Sequence, residues 1–455
     1  MAKKRRILLI NVKSSRRGAI NKDLAGGFGT ATIIGNSWRA KLLEYAKKRT
    51  VKLPLMAAGY LAAIFKMAGW ETEFFEFSGD DFKDVHDFEL VFIPASIVDY
   101  KNEISAARKM VRGRETRIGF YGAMATVLPD LFLPYADLVI QGEPEEIAFK
   151  IANSEIIPQG ILVSKPIINL DSLPFPDWDT FPVNLYSYTP SLDARPFLNI
   201  LSSRGCPYSC SFYCPYTRIE GTHWRARTVE NVISEVEYLK ERYKIKGLGF
   251  RDPNFTINRE RTINIAKELI GRRIKVEWSC ETRIDLLDRE LIEILFESGL
   301  RNINIGIESA EPDILKDARR TPAGLEKQEE IIDFCSRKGV NIAAFYILGL
   351  PSDIPQTIRR TIDYAKKLNT NIAQFTICTP YPGTAFYESI KDKIFERDFE
   401  KFDGYTSVFY HPNLTPEELL RWKEKAFLEY YFRPKWIFNY LKRKVKFFFK
   451  RIFLR

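Results

Sequence analysis

Ser202-Ser203-Arg204-Gly205-Cys206-Pro207-Tyr208-Ser209-Cys210-Ser211-Phe212-Tyr213-Cys214-Pro215-Tyr216 holds three of the chain's six cysteines within nine residues. The others, Cys280, Cys335 and Cys378, are isolated, and none precedes Cys206. Six cysteines in 455 residues are too few for a disulfide framework. Clustering of this kind points to metal or catalysis instead. Three thiolates on one short loop can hold three irons of a [4Fe-4S] cube. The fourth iron would then be open to a small chelating molecule. Structural zinc normally takes four protein ligands, and only His223 stands near the cysteines. Three unrelated buried cysteines are the other bland reading.

The loop follows a strand and opens a series of strand-helix units. Candidate strands are Phe197–Ser202, Gly247–Arg251, Lys275–Cys280, Asn302–Ile307, Asn341–Leu348 and Gln374–Thr379. Helical patterns lie between them at Val229–Tyr243, Arg261–Arg272, Asp288–Ser298 and Gln356–Leu368. Six units in about 200 residues suggest a parallel barrel or part of one, in which catalytic groups sit at the strand carboxyl ends. Upstream, residues 1–155 alternate in the same way, with apolar strands at Arg6–Val12, Glu71–Phe77, Leu90–Ala95, Arg117–Tyr121 and Ala136–Gln141. Near-continuous apolar strands predict a parallel sheet covered on both faces. Between the two, residues 151–200 hold seven of the 24 prolines. Leu173-Pro174-Phe175-Pro176-Asp177-Trp178 suits neither helix nor central strand and reads as linker. The division is therefore 1–155, a linker at 156–196, a barrel at 197–405 and a helical extension at 406–455.

Composition is that of an ordinary globular protein, with 45% apolar and 28% charged residues. No secretory signal or membrane-spanning run is evident, so a cytoplasmic location is expected. The net charge of +11 is local: Arg433–Arg455 holds nine Lys/Arg and no acid, leaving about +2 for the rest. The body carries no general signature for nucleic acid, and no such partner is expected. In the tail Ile437, Leu441, Val445, Phe448 and Ile452 fall at helical spacing, with Lys435, Lys442, Lys446 and Lys450 on another face. This basic amphipathic pattern suits the surface of an anionic membrane. A helix docked on its own barrel and an RNA contact are the competing readings.

The three-cysteine loop resembles that of the radical SAM superfamily, whose usual spacing is C-x3-C-x2-C; here it is C-x3-C-x3-C. Phe250-Arg251-Asp252-Pro253-Asn254-Phe255-Thr256, Trp278-Ser279-Cys280-Glu281-Thr282-Arg283-Ile284-Asp285, Gly306-Ile307-Glu308-Ser309-Ala310, Leu348-Gly349-Leu350-Pro351 and Thr379-Pro380-Tyr381-Pro382-Gly383-Thr384 extend the likeness over Phe197–Phe402. The resemblance implies that Cys206, Cys210 and Cys214 hold the cluster. The open iron would chelate S-adenosylmethionine (SAM), which one electron cleaves to a 5′-deoxyadenosyl radical. It also implies SAM contacts: Glu308 to the ribose hydroxyls, Arg283 to the carboxylate, Asp252 to the ammonium, and Tyr213 against the adenine with Phe212 as competitor. For Glu308, Arg283 and Asp252 a purely structural ion pair or cap is the alternative. Cys280, Cys335 and Cys378 read as buried thiols.

The first domain resembles the cobalamin-binding domain of one radical SAM class. Pro54–Ala63 looks like its first helix. Ile93-Pro94-Ala95-Ser96, Tyr121-Gly122-Ala123 and Gly142-Glu143-Pro144-Glu145 look like its corrin-contacting loops, with Ser96, Gly122, Ala123, Gly142 and Glu143 as implied contacts. The D-x-H-x-x-G loop that ligates cobalt in mutases is absent; Asp84-Val85-His86 matches only its first half, and His86 is expected at the surface. The fold class is thus α/β: a Rossmann-like doubly wound parallel sheet, then a partial (β/α)6 radical SAM barrel, then a short helical extension. The cofactors implied are a [4Fe-4S] cluster, SAM and cobalamin. The implied activity is methylation of an unactivated carbon in an unknown small-molecule or lipid-like substrate, with an external reductant of flavodoxin or ferredoxin type. Ring formation or rearrangement without methyl transfer, as in the anaerobic porphyrin ester cyclases, is the second reading. A non-enzymatic corrinoid or cluster carrier is the third. Methylthiolation of tRNA is disfavoured, because that family has further cysteines upstream.

Overall fold

The computed structural model describes residues 4–13, 20–22, 25–48, 51–78, 84–110 and 115–442. Strand β1 (Arg6–Lys13) shows why the first domain is a covered sheet. Its Leu8, Ile10 and Val12 enter one core while Ile7 and Leu9 enter another. A strand buried on both faces needs apolar residues at successive positions, and it becomes a near-continuous run. Five more strands complete its all-parallel sheet: β2 (Glu71–Ser78), β3 (Leu90–Pro94), β4 (Arg117–Tyr121), β5 (Leu138–Gln141) and β6 (Gly160–Val163). The order is β2-β1-β3-β4-β5-β6. The helices Met56–Met67 and Glu145–Ala152 cover one face, and Tyr100–Lys109 covers the other. This is the doubly wound sheet expected.

Strand β6 lies inside the stretch read as linker. Its side chains alternate between half-buried and exposed, with Val163 70% exposed. An edge strand of this kind lacks the apolar run that marked the others. The remaining linker is ordered by packing. Trp178 is fully buried against Gly59, where a Cβ would come within 2.6 Å of the indole. Its backbone N–H donates to Tyr243 Oη at 3.0 Å, the Asp177 N–H donates to the Gly59 carbonyl, and Phe181 stacks on Phe74. The proline-rich stretch is a strap between the two domains.

The second domain is a six-stranded parallel sheet in sequential order: β7 (Phe197–Ile200), β8 (Gly247–Phe250), β9 (Glu277–Thr282), β10 (Leu300–Glu308), β11 (Asn341–Leu348) and β12 (Ile372–Ile377). Helices follow each strand, and β7 and β12 remain the two edges, so the barrel is partial. A helix at Leu325–Lys338 and another at Trp38–Lys48, neither expected from the sequence, complete the domain surfaces. The extension forms the helix Pro416–Tyr431, closed by a capping box between Thr415 and Glu418. Helix continues over 434–442; the tail positions Val445, Phe448 and Ile452 lie outside the described residues. Among the described residues no helix is long and apolar enough to cross a membrane.

The two domains are joined by buried charge. Arg204, at the root of the cysteine loop, donates to Glu143 and Glu145 at 2.7 Å each. Arg225 pairs with the same Glu143 and donates to the Ile167 carbonyl at 2.6 Å. All four side chains are nearly inaccessible. Removing one member of such a network leaves the others charged and dry, which costs about 3–5 kcal/mol. Arg204→Met should therefore lower the unfolding midpoint in urea by that equivalent. Arg204→Lys, which cannot reach two carboxylates with a planar fork, should recover only part of it.

Candidate functional site: the cysteine loop and the cleft beside it

The cysteine loop is pinned at its base. Ser203–Arg204 pairs antiparallel with Arg225–Ala226. Above this ladder Gly205 has φ +82, and a Cβ there would lie 2.1 Å from the His223 carbonyl oxygen; only glycine fits. The Cys206 N–H donates to the Gly221 carbonyl at 3.2 Å. The stretch between the second and third cysteines is a short 3-10 turn, Ser209–Phe212, and the Cys214 N–H donates to the Cys210 carbonyl at 2.9 Å. A separation of four residues on a helical turn keeps both side chains on one side. The extra residue of C-x3-C-x3-C is absorbed in this turn.

All three thiols are partly exposed; Cys206 senses Cys210 electrostatically, and Cys214 senses both. Burial pushes all three pKa values up, Cys214 most. Nearby Arg320 and Arg283 counter this at Cys210. Among the described residues no group of three His, Cys, Asp or Glu is spaced for a single metal ion. Thiols that each take a different iron of a cube need not meet at one point. The donor set of three mutually close cysteines therefore fits a [4Fe-4S] cluster with one open corner.

Around the loop stand the strand ends. Glu308 closes β10 with φ +64, an uncommon conformation for a residue with a Cβ. Strain of this kind concentrates at functional sites. A Cβ on Gly306 would lie 2.2 Å from Glu308 Oε1, so the glycine makes room for the carboxylate. Burial raises the Glu308 pKa, and Arg320 and Arg283 oppose the rise. Arg320 lies 3.4 Å from Glu308 and donates to the Gly306 carbonyl at 2.6 Å. It also bonds the Tyr213 hydroxyl. The sequence reading missed Arg320: in Ala318-Arg319-Arg320-Thr321 it looks like one of two solvated cations. Arg283 lies over the Tyr208 ring at 4.4 Å, is braced by Asp285 at 2.9 Å and donates to the Thr321 carbonyl. Cys206, Cys210, Tyr213, Arg283 and Glu308 are thus brought together.

Asp252 is not open to a ligand. It is wholly buried, and it accepts from the Ser202 N–H at 2.8 Å and from the hydroxyls of Ser202 and Ser203 at 2.6 and 2.5 Å. Its role in this structure is to hold the strand that enters the cysteine loop. Cys280, Cys335 and Cys378 are buried, as expected.

Between the domains lies a cleft of about 150 Å³. On the sheet side it is lined by Gly26, Gly27, Ala57, Ser96, Gly122, Ala123, Gly142 and Glu143; on the barrel side by Arg204, Tyr216, Ile219, Glu220 and Arg251. Tyr216 stands two residues beyond Cys214, so the cleft and the cysteine loop share a wall. Four glycines on that floor have positive φ: Gly26, Gly27, Gly122 and Gly142. A Cβ on Gly122 would press the Ala95 carbonyl at 3.3 Å, and one on Gly142 the Ser164 carbonyl at 3.3 Å. The resulting floor is low and smooth, a cradle that a large flat ring can approach. Of the expected contacts, Ser96 donates to Glu103 at 2.7 Å and Glu143 is held by the two arginines, so their side chains are engaged behind the wall. Lys22 pairs with Glu103 and Asp99 at 2.6 and 3.0 Å, and burial pushes Glu103 up to about 7. On the barrel wall burial pushes Glu220 up to about 8, with Arg204 opposing. None of the chain's three histidines lines the cleft; His86 is exposed and bonds Asp84.

Residues 200–365 match the radical SAM superfamily profile. The chain is 30% identical over 339 residues to an uncharacterized methyltransferase of Pyrococcus horikoshii, covering 69% of this chain and 72% of that protein. It is 27% identical over 357 residues to the anaerobic magnesium-protoporphyrin IX monomethyl ester cyclase of Rubrivivax gelatinosus, covering 70% of this chain and 63% of the cyclase. Among solved structures, the radical SAM methyltransferase TsrM of Kitasatospora setae with cobalamin and a [4Fe-4S] cluster bound superposes with a TM-score of 0.58 at 16% identity, over 86% of this chain and 75% of TsrM. That likeness is one of fold, and it runs through both domains. The match of the cysteine-bearing barrel and the extent of the similarity to the Pyrococcus protein place the chain: it belongs to the radical SAM superfamily and is an enzyme whose cofactors include a [4Fe-4S] cluster and SAM.

Proposed function

We propose that this chain is a cobalamin-dependent radical SAM C-methyltransferase. The observation that carries the reading is the shared wall: a glycine-floored cleft between the domains meets the cysteine loop at Tyr216. When bound, the cluster supplies the electron that splits SAM and cobalamin carries the methyl group. The chain's own work is to bind, orient and exclude water. Cys206, Cys210 and Cys214 hold the cluster. Arg283, whose Nε and Nη2 are braced by Asp285, presents Nη1 to the SAM carboxylate. Glu308, fixed by Arg320, accepts from the ribose hydroxyls, and Tyr213 packs at the adenine. Gly26, Gly27, Gly122, Ala123 and Gly142 form the corrin floor. A corrin held there would be met by backbone and small side chains of Gly26, Gly27, Gly122, Ala123 and Gly142. The substrate is a small molecule or a lipid-like one, and a flavodoxin- or ferredoxin-type protein is the electron donor.

A second reading, ring closure without methyl transfer, is favoured by the similarity to the porphyrin ester cyclase. Product mass separates the two, since cyclisation adds no carbon.

Anaerobic reconstitution with iron, sulfide and hydroxocobalamin should give about four irons and one corrinoid per chain, read by absorbance. Cys210→Ala should lose the iron-sulfur absorbance and 5′-deoxyadenosine formation while retaining the corrinoid. Ala57→Trp, which fills the cleft with a ring, should do the reverse and abolish corrinoid retention with iron content unchanged. Failure of the wild-type protein to retain any corrinoid would remove cobalamin from the mechanism.

The basic tail at 433–455 is proposed as a peripheral membrane contact. Helix 434–442 turns Ile437, Phe438 and Leu441 outward beside Lys435 and Lys442. Shortening the chain after Lys442 removes six cations and should weaken co-sedimentation with anionic vesicles about a thousandfold or more, since each cation near such a surface contributes about 1 kcal/mol. Unchanged sedimentation would end this reading.

A further inference from the structure

Helix α1 (Trp38–Lys48) presents an apolar row to solvent. Trp38 is 68% and Leu42 52% exposed, and Tyr45 continues the same row one turn on. Four- and three-residue steps place all three on one helical stripe. Arg39 and Lys41 are exposed beside it. The helix's one acid, Glu44, is turned inward and accepts from the Ile34 N–H at 2.7 Å. The outward face therefore combines an indole, a leucine and two cations with no exposed carboxylate.

This face adjoins the tail. The residues that lead into α1 are tied to the helix Pro416–Tyr431, where Glu424 accepts from the Asn36 and Ser37 N–H groups at 3.0 and 3.1 Å. The Arg39 guanidinium lies 5.3 Å from the Trp38 ring and 5.6 Å from the Phe432 ring, bridging α1 to the start of the tail. Beyond it Trp436 packs edge-on against Tyr431 at 4.7 Å, which fixes helix 434–442 to the body. Arg39 thus makes α1 a neighbour of the start of the tail; Trp38 and Leu42 are exposed on the one element and Ile437, Phe438 and Leu441 on the other, and Arg39, Lys41, Lys435 and Lys442 are exposed on the same two elements.

We infer that α1 and helix 434–442 form one composite docking surface for an anionic lipid bilayer, with Trp38 and Leu42 entering the acyl boundary and the cations meeting the headgroups. The inference extends the tail reading above and shares its premise of an anionic membrane, but adds a second, sequence-remote element. Charge selects lipid over a second copy of the chain. Two such faces brought together would oppose cation to cation, whereas an anionic surface satisfies every one of them. An indole with a polar N–H and an apolar body suits the headgroup level.

The test uses reconstituted full-length protein with vesicles of phosphatidylglycerol and phosphatidylcholine, and vesicles of phosphatidylcholine alone. Trp38→Ser with Leu42→Ser, in a chain with its tail intact, should lower partitioning onto the anionic vesicles about tenfold or more, because two large apolar groups no longer enter the interface. The thermal melting curve should be unchanged, since both side chains face solvent. Trp38→Phe should keep binding but lose part of the tryptophan quenching produced by brominated lipid. Binding of the double variant equal to wild type, while shortening after Lys442 abolishes it, would overturn the composite surface and leave the tail reading standing. No wild-type binding to either vesicle would overturn both. A change in oligomeric state on light scattering, without a change in vesicle binding, would assign the face to a second copy and overturn the inference.

Discussion

The buried pairing of Arg204 with Glu143 and Glu145 sets the rest of the site. One guanidinium fixes two different things. It stands immediately before Gly205-Cys206, so it fixes where the cysteine loop leaves β7. It grips carboxylates at the start of the helix Glu145–Ala152, so it fixes where the first sheet sits. Arg225, from the far side of the same loop, takes the remaining oxygen of Glu143. Four ionised groups in a dry interface tolerate little displacement, because each lost contact exposes a charge to low dielectric. The cleft between the domains therefore has a defined width, and its barrel wall is the loop that carries the cysteines. Hydrophobic packing alone, as between Trp178 and Gly59, would hold the domains together but would register them less strictly.

Backbone permissiveness is the second constraint. Glycine appears where the chain must pass close to itself: Gly205 under the His223 carbonyl, Gly26 against the Tyr216 backbone, where a Cβ would stand 2.8 Å from its nitrogen, and Gly306 beneath the Glu308 carboxylate. Each of these bears on the same region, from the cleft across the cysteine loop to β10. Glu308 itself takes a positive φ without being glycine, and the irregular register with β11 at Gly306–Glu308 shows where the sheet yields to it.

Much of this was legible in the sequence, for physical reasons that can be named. Strands buried on both faces must be apolar in near-continuous runs, and that made most of the main strands evident; β2, at one sheet edge, still carries Phe74, Phe75 and Phe77, whereas β6, at the other, alternates half-buried and exposed side chains between Pro158 and Pro166 and was not evident. The cysteine loop was evident because three thiols at that spacing have few other uses. The partners of Glu308 and Asp252 were not. Arg320 reaches Glu308 from a turn with no periodic pattern, and nothing in its neighbourhood separates it from a solvated Arg319. Asp252 sits at a strand end where ligand contact was a fair expectation, yet Ser202 and Ser203, fifty residues upstream, consume its oxygens. Helix α1 gave no sign because its exposed face is apolar, the inverse of the pattern by which surface helices are recognised.

The electrostatics of the three thiols follow from which cations face them. Cys210 has Arg320 and Arg283 to offset its burial, and Cys206 has Arg283. At Cys214 burial is joined by Cys210, Cys206 and Glu308 in raising the pKa, and the Tyr216 N–H opposes them. Burial raises all three pKa values, so none of the thiols is favoured as thiolate by its protein surroundings alone. A thiolate is the form that binds metal, and a cluster held here would supply the positive charge that favours it. The arginines act on Cys206 and Cys210, whereas Cys214 lies towards Tyr216, where the loop meets the inter-domain cleft.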